Sequence, residues 1–168
     1  MSKESNRVAL AEKQPTEKGY SDEFYTPLVY MSPLMPFGID PCAGPNKLAA
    51  VNLDYSQGQC GLSMPWDGLA WVNPPYSLKA EFLEKLWAHG SGFGLVPNST
   101  ESIWWQRASK QCDAFLLLKG RIAFKGPDGA RKHSNTKGST IFAYGAEAVS
   151  RLKKAVESGK LEGFLVVK

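Results

Sequence analysis

The chain is 168 residues long, 43% hydrophobic and 21% charged, ordinary values for one soluble globular domain with a substantial core. Its net charge of +4 and pI of about 8.9 admit a polyanionic partner without requiring one. Three cysteines (Cys42, Cys60, Cys112) form no CxxC or Cys/His cluster, which speaks against zinc or any other metal. An odd cysteine count without a secretory signal, and without an apolar run of membrane-spanning length, leads us to expect a cytoplasmic protein.

Residues 1–21 are polar, mixed in charge and without periodicity, and read as a flexible N-terminal arm ahead of a folded domain spanning 22–168. Lys3, Arg7, Lys13 and Lys18 could touch nucleic acid there, although a disordered tail explains them more simply. Asp22-Glu23-Phe24-Tyr25-Thr26-Pro27 is denser. Aromatics followed by Thr-Pro suggest a turn into a short helix, with Thr26 as N-cap and Pro27 at its first position. Such a segment could cover a cofactor from the N-terminal side.

In Phe37-Gly38-Ile39-Asp40-Pro41-Cys42-Ala43-Gly44 a short apolar strand delivers an acid into a turn of small residues. Ligands of α/β sheets bind at the carboxyl ends of strands, where small residues permit close backbone approach. Asp40 could accept a hydrogen bond from a ligand amino group, or it could cap a helical turn over 46–51. The glycine fingerprint GxGxxG of dinucleotide sites is absent. Val51-Asn52-Leu53-Asp54-Tyr55 reads as the second strand, and Asp54 near its end is a candidate for holding a ribose, or else a solvated loop acid. Residues 56–68 read as loop.

Leu69-Ala70-Trp71-Val72 is a buried strand that runs into Asn73-Pro74-Pro75-Tyr76. The prolines must end it, because neither can donate to a ladder. Asn73 then offers an amide oxygen, Pro74 a free carbonyl and Tyr76 a flat aromatic face. A planar ring bearing an exocyclic NH2 could donate to the two oxygens while stacking on Tyr76, which is what methylation of an amino nitrogen on a nucleobase requires. A stiff turn after a strand is the alternative.

Leu78, Phe82, Leu83, Leu86 and Trp87 have helical spacing up to a stop at Gly90. Residues 93–97 read as a strand, and Thr100-Glu101-Ser102 as the N-terminus of a helix carrying Trp104 and Trp105. One of these tryptophans should be core and the other should line a surface or groove. Ala114–Leu118 is a continuous apolar run, as in a strand buried on both faces. Arg121-Ile122-Ala123-Phe124-Lys125 leads into a long, basic, glycine-rich loop with Arg131, Lys132, His133 and Lys137. Phosphate contact is its functional reading and a solvated charge cluster the alternative. A strand over 139–145, a basic amphipathic helix over 146–158 and a strand over 163–167 complete the chain. Alternating strands and helices predict an α/β sheet with helices on its faces.

Taken together, Tyr25-Thr26-Pro27, Asp40-Pro41-Cys42-Ala43, Asn73-Pro74-Pro75-Tyr76, Trp104-Trp105 and Gly120-Arg121-Ile122-Ala123-Phe124 resemble the small Dam-like DNA N6-adenine methyltransferases of phages and prophages. The resemblance runs from about Glu23 to Tyr144. Asn-Pro-Pro-Tyr alone is shared with protein-glutamine and some RNA methyltransferases, whereas the ordered set is more specific.

The resemblance implies a single Rossmann-like methyltransferase domain with a mostly parallel central sheet, S-adenosylmethionine as donor and adenine in DNA as acceptor. It also implies that Tyr25, Thr26, Pro27, Asp40, Pro41, Cys42 and Ala43 bind the cofactor, and that Asn73, Pro74, Pro75 and Tyr76 form the catalytic motif. The candidate DNA contacts are Trp104, Trp105, Arg121, Lys125, Arg131, Lys132 and Lys137. One departure stands out: many relatives carry an acid just before the Gly-Leu that precedes the catalytic strand, and here Gln59-Cys60 precedes Gly61-Leu62. That puts cofactor affinity in question, unless Asp54 supplies the contact. The competing functions are methylation of cytosine N4, RNA or a protein glutamine, a catalytically silent DNA- or protein-binding member, and a generic nucleotide-binding domain.

Overall fold

Seven strands form one sheet in a computed structural model that describes residues 24–44, 47–54, 57–126, 129–130 and 136–168. They are β1 (Phe37–Asp40), β2 (Ala49–Asn52), β3 (Ala70–Val72), β4 (Gly92–Pro97), β5 (Ala114–Leu118), β6 (Ser139–Tyr144) and β7 (Gly163–Val167). Their order across the sheet is β2-β1-β3-β4-β6-β5-β7. The helices are α1 (Leu28–Met31), α2 (Lys79–His89), α3 (Ile103–Gln111) and α4 (Ala146–Glu157).

Strand alternation divides the apolar side chains between two cores. Phe37, Trp71, Phe93, Leu95 and Leu116 face α4, which contributes Ala148, Leu152 and Ala155, and α1 contributes Met31. Ile39, Ala70, Val72, Val96 and Phe142 face Phe82, Leu83 and Leu86 of α2 and Trp105 and Ala108 of α3. The result is a helix–sheet–helix sandwich, as the alternating pattern predicts.

The sheet is not mostly parallel. The pairs β1–β2, β1–β3 and β3–β4 are parallel, whereas β4–β6, β5–β6 and β5–β7 are antiparallel. A parallel neighbour needs a crossover that returns the chain to the strand's starting end, usually a helix. Helix α2 makes such a crossover between β3 and β4, and α3 carries the chain from β4 to β5, one strand further on. Among the described residues no helix lies between β5 and β6, so β6 runs back against β5 and inserts beside β4.

Several local expectations shift. Residues 49–52 are strand rather than a helical turn, so β2 starts earlier than the sequence suggests. Pro27, not Thr26, is the residue that precedes α1. In β5 burial alternates, with Phe115 and Leu117 only half-buried. Gly90 ends α2 in the left-handed conformation (φ 75°), as expected of a glycine stop. Ser102 precedes α3, yet its hydroxyl donates backward to the Ser99 carbonyl (2.6 Å) and makes no capping bond.

Strand direction now places the candidate residues. The parallel strands β1 to β4 end at one edge of the sheet, and the antiparallel pairing of Pro97 with Ser139 brings the start of β6 to the same edge. Asp40, Asp54, Asn73 and Lys137 therefore share one edge. From β1 the chain moves outward to β2, and from β3 it moves the other way to β4, so Asp40 and Asn73 flank the crevice where the winding reverses.

Candidate active site

Asp40 ends β1 and is 8% exposed. Its Oδ1 accepts from the Cys42 N–H (3.0 Å). Burial pushes its carboxyl up to about 7, against the smaller opposing effect of the Cys42 hydrogen bond. The Cys42 thiol is pushed up as well, by burial first and then by Asp40 and Cys60. The Pro41-Cys42-Ala43 turn is tied to the end of β2, because Leu53 N–H donates to the Asp40 carbonyl (2.9 Å) and Ala43 N–H to the Leu53 carbonyl (3.1 Å). Among the described residues no cation forms an ion pair with Asp40. A cationic group placed beside it would favour its ionised form.

The loop after β2 packs on this turn. Lys85 of α2 donates to the carbonyls of Gly61 (3.0 Å), Leu62 (2.9 Å) and Met64 (2.5 Å), and its ammonium lies 4.9 Å from the centre of the Trp66 ring. Trp66 Nε1 donates to the Gly61 carbonyl (2.8 Å). Asp54 is half-buried, and its N–H donates to Gln59 Oε1 (3.1 Å).

Asn73 follows β3. Its Nδ2 donates to the Phe24 carbonyl oxygen and to Thr26 Oγ1 (3.1 Å). A carbonyl oxygen can only accept, so the amide nitrogen must face Phe24 and Oδ1 must face away. Pro74 is buried. Pro75 holds an extended conformation (φ −53°, ψ 140°) that leads into a 3₁₀ turn, Tyr76–Leu78, continuous with α2. The Phe24 ring stacks on Tyr76 (centroids 4.6 Å apart, planes 13° apart) and meets Phe124 edge-on (5.7 Å, 77°).

Residues 24–26 thus join parts of the chain that are far apart in sequence. Tyr25 and Lys125 exchange backbone hydrogen bonds (2.9 and 3.1 Å). Gly44 packs so tightly on the Tyr25 ring that a Cβ there would lie 2.1 Å from Cδ1. Tyr25 therefore sits on the turn that follows Asp40. Thr26 is 5% exposed and is committed to Asn73.

The candidate DNA contacts fare unevenly. Trp104 is half-buried; Lys79 lies over its ring (5.3 Å) and also donates to the Tyr76 carbonyl (2.5 Å), which puts Trp104 beside the Asn-Pro-Pro-Tyr turn. Trp105 is the core member of the pair, 7% exposed, with Nε1 donating to Thr140 Oγ1 (3.2 Å). It belongs to the sandwich and cannot be a DNA contact. Arg121 and Lys125 are exposed. Lys137 reaches Ser99 Oγ (2.9 Å) and pairs with Glu101 (3.7 Å). Arg131 and Lys132 lie outside the described residues, as do the basic residues of the arm.

Sequence reasoning missed Phe24, Gly44, Gly61, Lys79, Lys85 and Phe124. For Phe24 the dense aromatic pair before Thr-Pro was a usable signal. For Lys85, an ordinary lysine on a helix, no local signal exists. Among the described residues no group of His, Cys, Asp or Glu could hold a metal ion, and no helix is long and apolar enough to cross a membrane.

Residues 13–155 match the family model described as DNA N-6-adenine-methyltransferase (Dam). The match takes in every motif that carries the resemblance, and it begins within the stretch read as an arm. No curated protein and no solved structure matches the chain.

Proposed function

The chain belongs to the DNA N-6-adenine-methyltransferase (Dam) family, and we propose that it transfers a methyl group from S-adenosylmethionine to the exocyclic nitrogen of an adenine turned out of duplex DNA. The observation that carries this is the fixed amide of Asn73. With Nδ2 committed to Phe24 and Thr26, Oδ1 is left as an acceptor at the sheet edge where ligands of such sheets bind.

The residues of the Asp40 turn fit the donor. Asp40 would hold its ammonium, with Tyr25 and the Pro41-Cys42-Ala43 backbone around it, whereas the Thr26 hydroxyl is committed to Asn73. When bound, the sulfonium supplies a methyl group already activated for transfer to a nucleophile.

The amino nitrogen of adenine is a poor nucleophile because its lone pair is delocalised into the ring. Asn73 Oδ1 and the Pro74 carbonyl would accept hydrogen bonds from its two N–H groups and favour a more tetrahedral nitrogen, and one of these protons would leave to water once the methyl group is taken up. Tyr76 would stack on the base with the face opposite Phe24 and offset the stacking lost from the duplex. These residues act by positioning and by preorganised dipoles, so most of the rate enhancement is orientational. Trp104, Arg121, Lys125, Lys137 and the Arg131/Lys132 loop would contact DNA around the flipped base.

The test is to mix purified protein, labelled S-adenosylmethionine and unmethylated DNA, digest the DNA and identify the labelled nucleoside. N6-methyldeoxyadenosine is the expected product. Label on cytosine N4, RNA or protein glutamine would reassign the acceptor. Absence of both transfer and donor binding would favour a catalytically silent DNA- or protein-binding role.

A further inference from the structure

Asn73 is oriented by a segment almost fifty positions away in sequence: its amide nitrogen meets the Phe24 carbonyl, 49 residues distant, and the Thr26 hydroxyl, 47 residues distant. The two partners do different work. The Phe24 carbonyl, which can only accept, decides which end of the amide faces inward. One hydrogen bond still leaves the amide plane free to swing about it. The second bond, to Thr26 Oγ1, fixes that plane and so the direction in which Oδ1 points.

Both partners are themselves anchored. Thr26 is buried. The carbonyl of Phe24 is held by the stack of its ring on Tyr76 and by the Tyr25–Lys125 backbone pair that follows it. We infer that Thr26 is a positioning residue for Asn73, its hydroxyl aiming the amide oxygen at the amine of the target base. This rests on the reading of Asn73 as the amine-binding residue, and it gives the Thr-Pro segment a task at the acceptor side as well as the donor side.

Thr26→Val and Thr26→Ser test it. Valine keeps the volume and one methyl and removes the hydroxyl; serine keeps the hydroxyl. Three quantities are read in the full chain: kcat on unmethylated DNA, S-adenosylmethionine affinity by calorimetry, and the side-chain amide signals of Asn73 by ¹⁵N–¹H NMR, assigned through their loss in Asn73→Asp. Thr26→Val is expected to lower kcat about tenfold, the equivalent of one buried donor left unpaired. Donor affinity should stay within about twofold, because the lost interaction is on the acceptor side. Thr26→Ser should restore most of the rate, and the Asn73 amide signals should move in the valine variant and return in the serine variant.

The inference is overturned if Thr26→Val turns over at the wild-type rate, if serine and valine are equally impaired, or if the loss lies in donor affinity alone. If Asn73→Ala transfers methyl groups as fast as wild type, or wild type transfers none, the amine-binding reading itself has failed. The amide signals still decide, without any turnover, whether Thr26 holds Asn73.

Discussion

Gly61 lies so close to Pro41 that a Cβ on it would stand 2.1 Å from the Pro41 carbonyl oxygen. The loop after β2 and the turn carrying Asp40 are therefore in direct contact through Pro41, with no space between them to absorb a change. Gly61→Ala must push the two apart. Overpacking of this kind typically costs about 1–3 kcal/mol, and thermal melting should show a loss of that size. Donor affinity, measured by calorimetry, should fall with it, because the displaced element is the Asp40 turn. A variant with wild-type melting and wild-type affinity would mean that the contact is dispensable.

Asp40 couples stability to pH in the direction opposite to most carboxylates. Its folded-state carboxyl lies at about 7, above the ordinary value of 3.8, because burial penalises the charge. The folded state therefore holds this proton more tightly than the unfolded state. The stabilisation is complete below about pH 4 and is lost as pH rises through about 7. Asp40→Asn, which carries no charge, should be more stable than wild type at pH 8, by roughly 2–4 kcal/mol, with little difference at pH 4. The same variant should lose donor binding. In wild type, affinity for a donor bearing an ammonium should rise with pH up to about 7, as the carboxylate forms. Melting curves at the two pH values and a binding titration across the range check both halves.

The Phe24 ring anchors the carbonyl that fixes the end of Asn73. Phe24→Ala removes the stack on Tyr76 and the edge contact with Phe124, contacts worth about 0.5–1.5 kcal/mol each beyond burial. Methyl transfer should slow about tenfold, less than in Asn73→Ala, and Phe24→Trp should keep most of the rate. Single-turnover measurements on the three variants order the effects. A faster Phe24→Ala enzyme would show instead that the ring obstructs the base.

Lys85 replaces missing backbone partners for the loop over 61–64, satisfying three carbonyls with one ammonium. Lys85→Met retains the apolar stem, removes the ammonium from the Leu62 and Met64 carbonyls, and leaves the Gly61 carbonyl with Trp66 Nε1 alone. A loss of about 1–3 kcal/mol is expected, together with faster amide hydrogen exchange in residues 60–66. Exchange rates unchanged from wild type would show that other contacts hold the loop.

How much of this was legible follows from the range of the signal. Asp40 and Asn73 stand at the ends of short apolar runs, so strand, turn and acceptor could be read from a few adjacent residues. Helix α2 announced itself by periodicity and by its stop at Gly90, and α4 by its amphipathic pattern. The antiparallel half of the sheet did not, because apolar runs such as those of β5 and β6 read the same in either direction. Nor did the contacts that assemble the site. Tyr25 against Gly44, Thr26 on Asn73 and Lys85 on the 61–64 carbonyls join residues whose pairing depends on the finished fold. Of two adjacent tryptophans the sequence indicates that one is core, while only packing shows it to be Trp105.

The antiparallel return of β6 beside β5 has a consequence for how the site edge is tied to the sheet. The chain leaves the site edge after Leu118 and re-enters it at Ser139, on neighbouring strands. The excursion is stitched down at Lys125 by Tyr25 and at Gly138 by Asn98. The connection therefore begins and ends beside the crevice and is pinned there at both ends, once to the segment that orients Asn73 and once to the residue that follows β4.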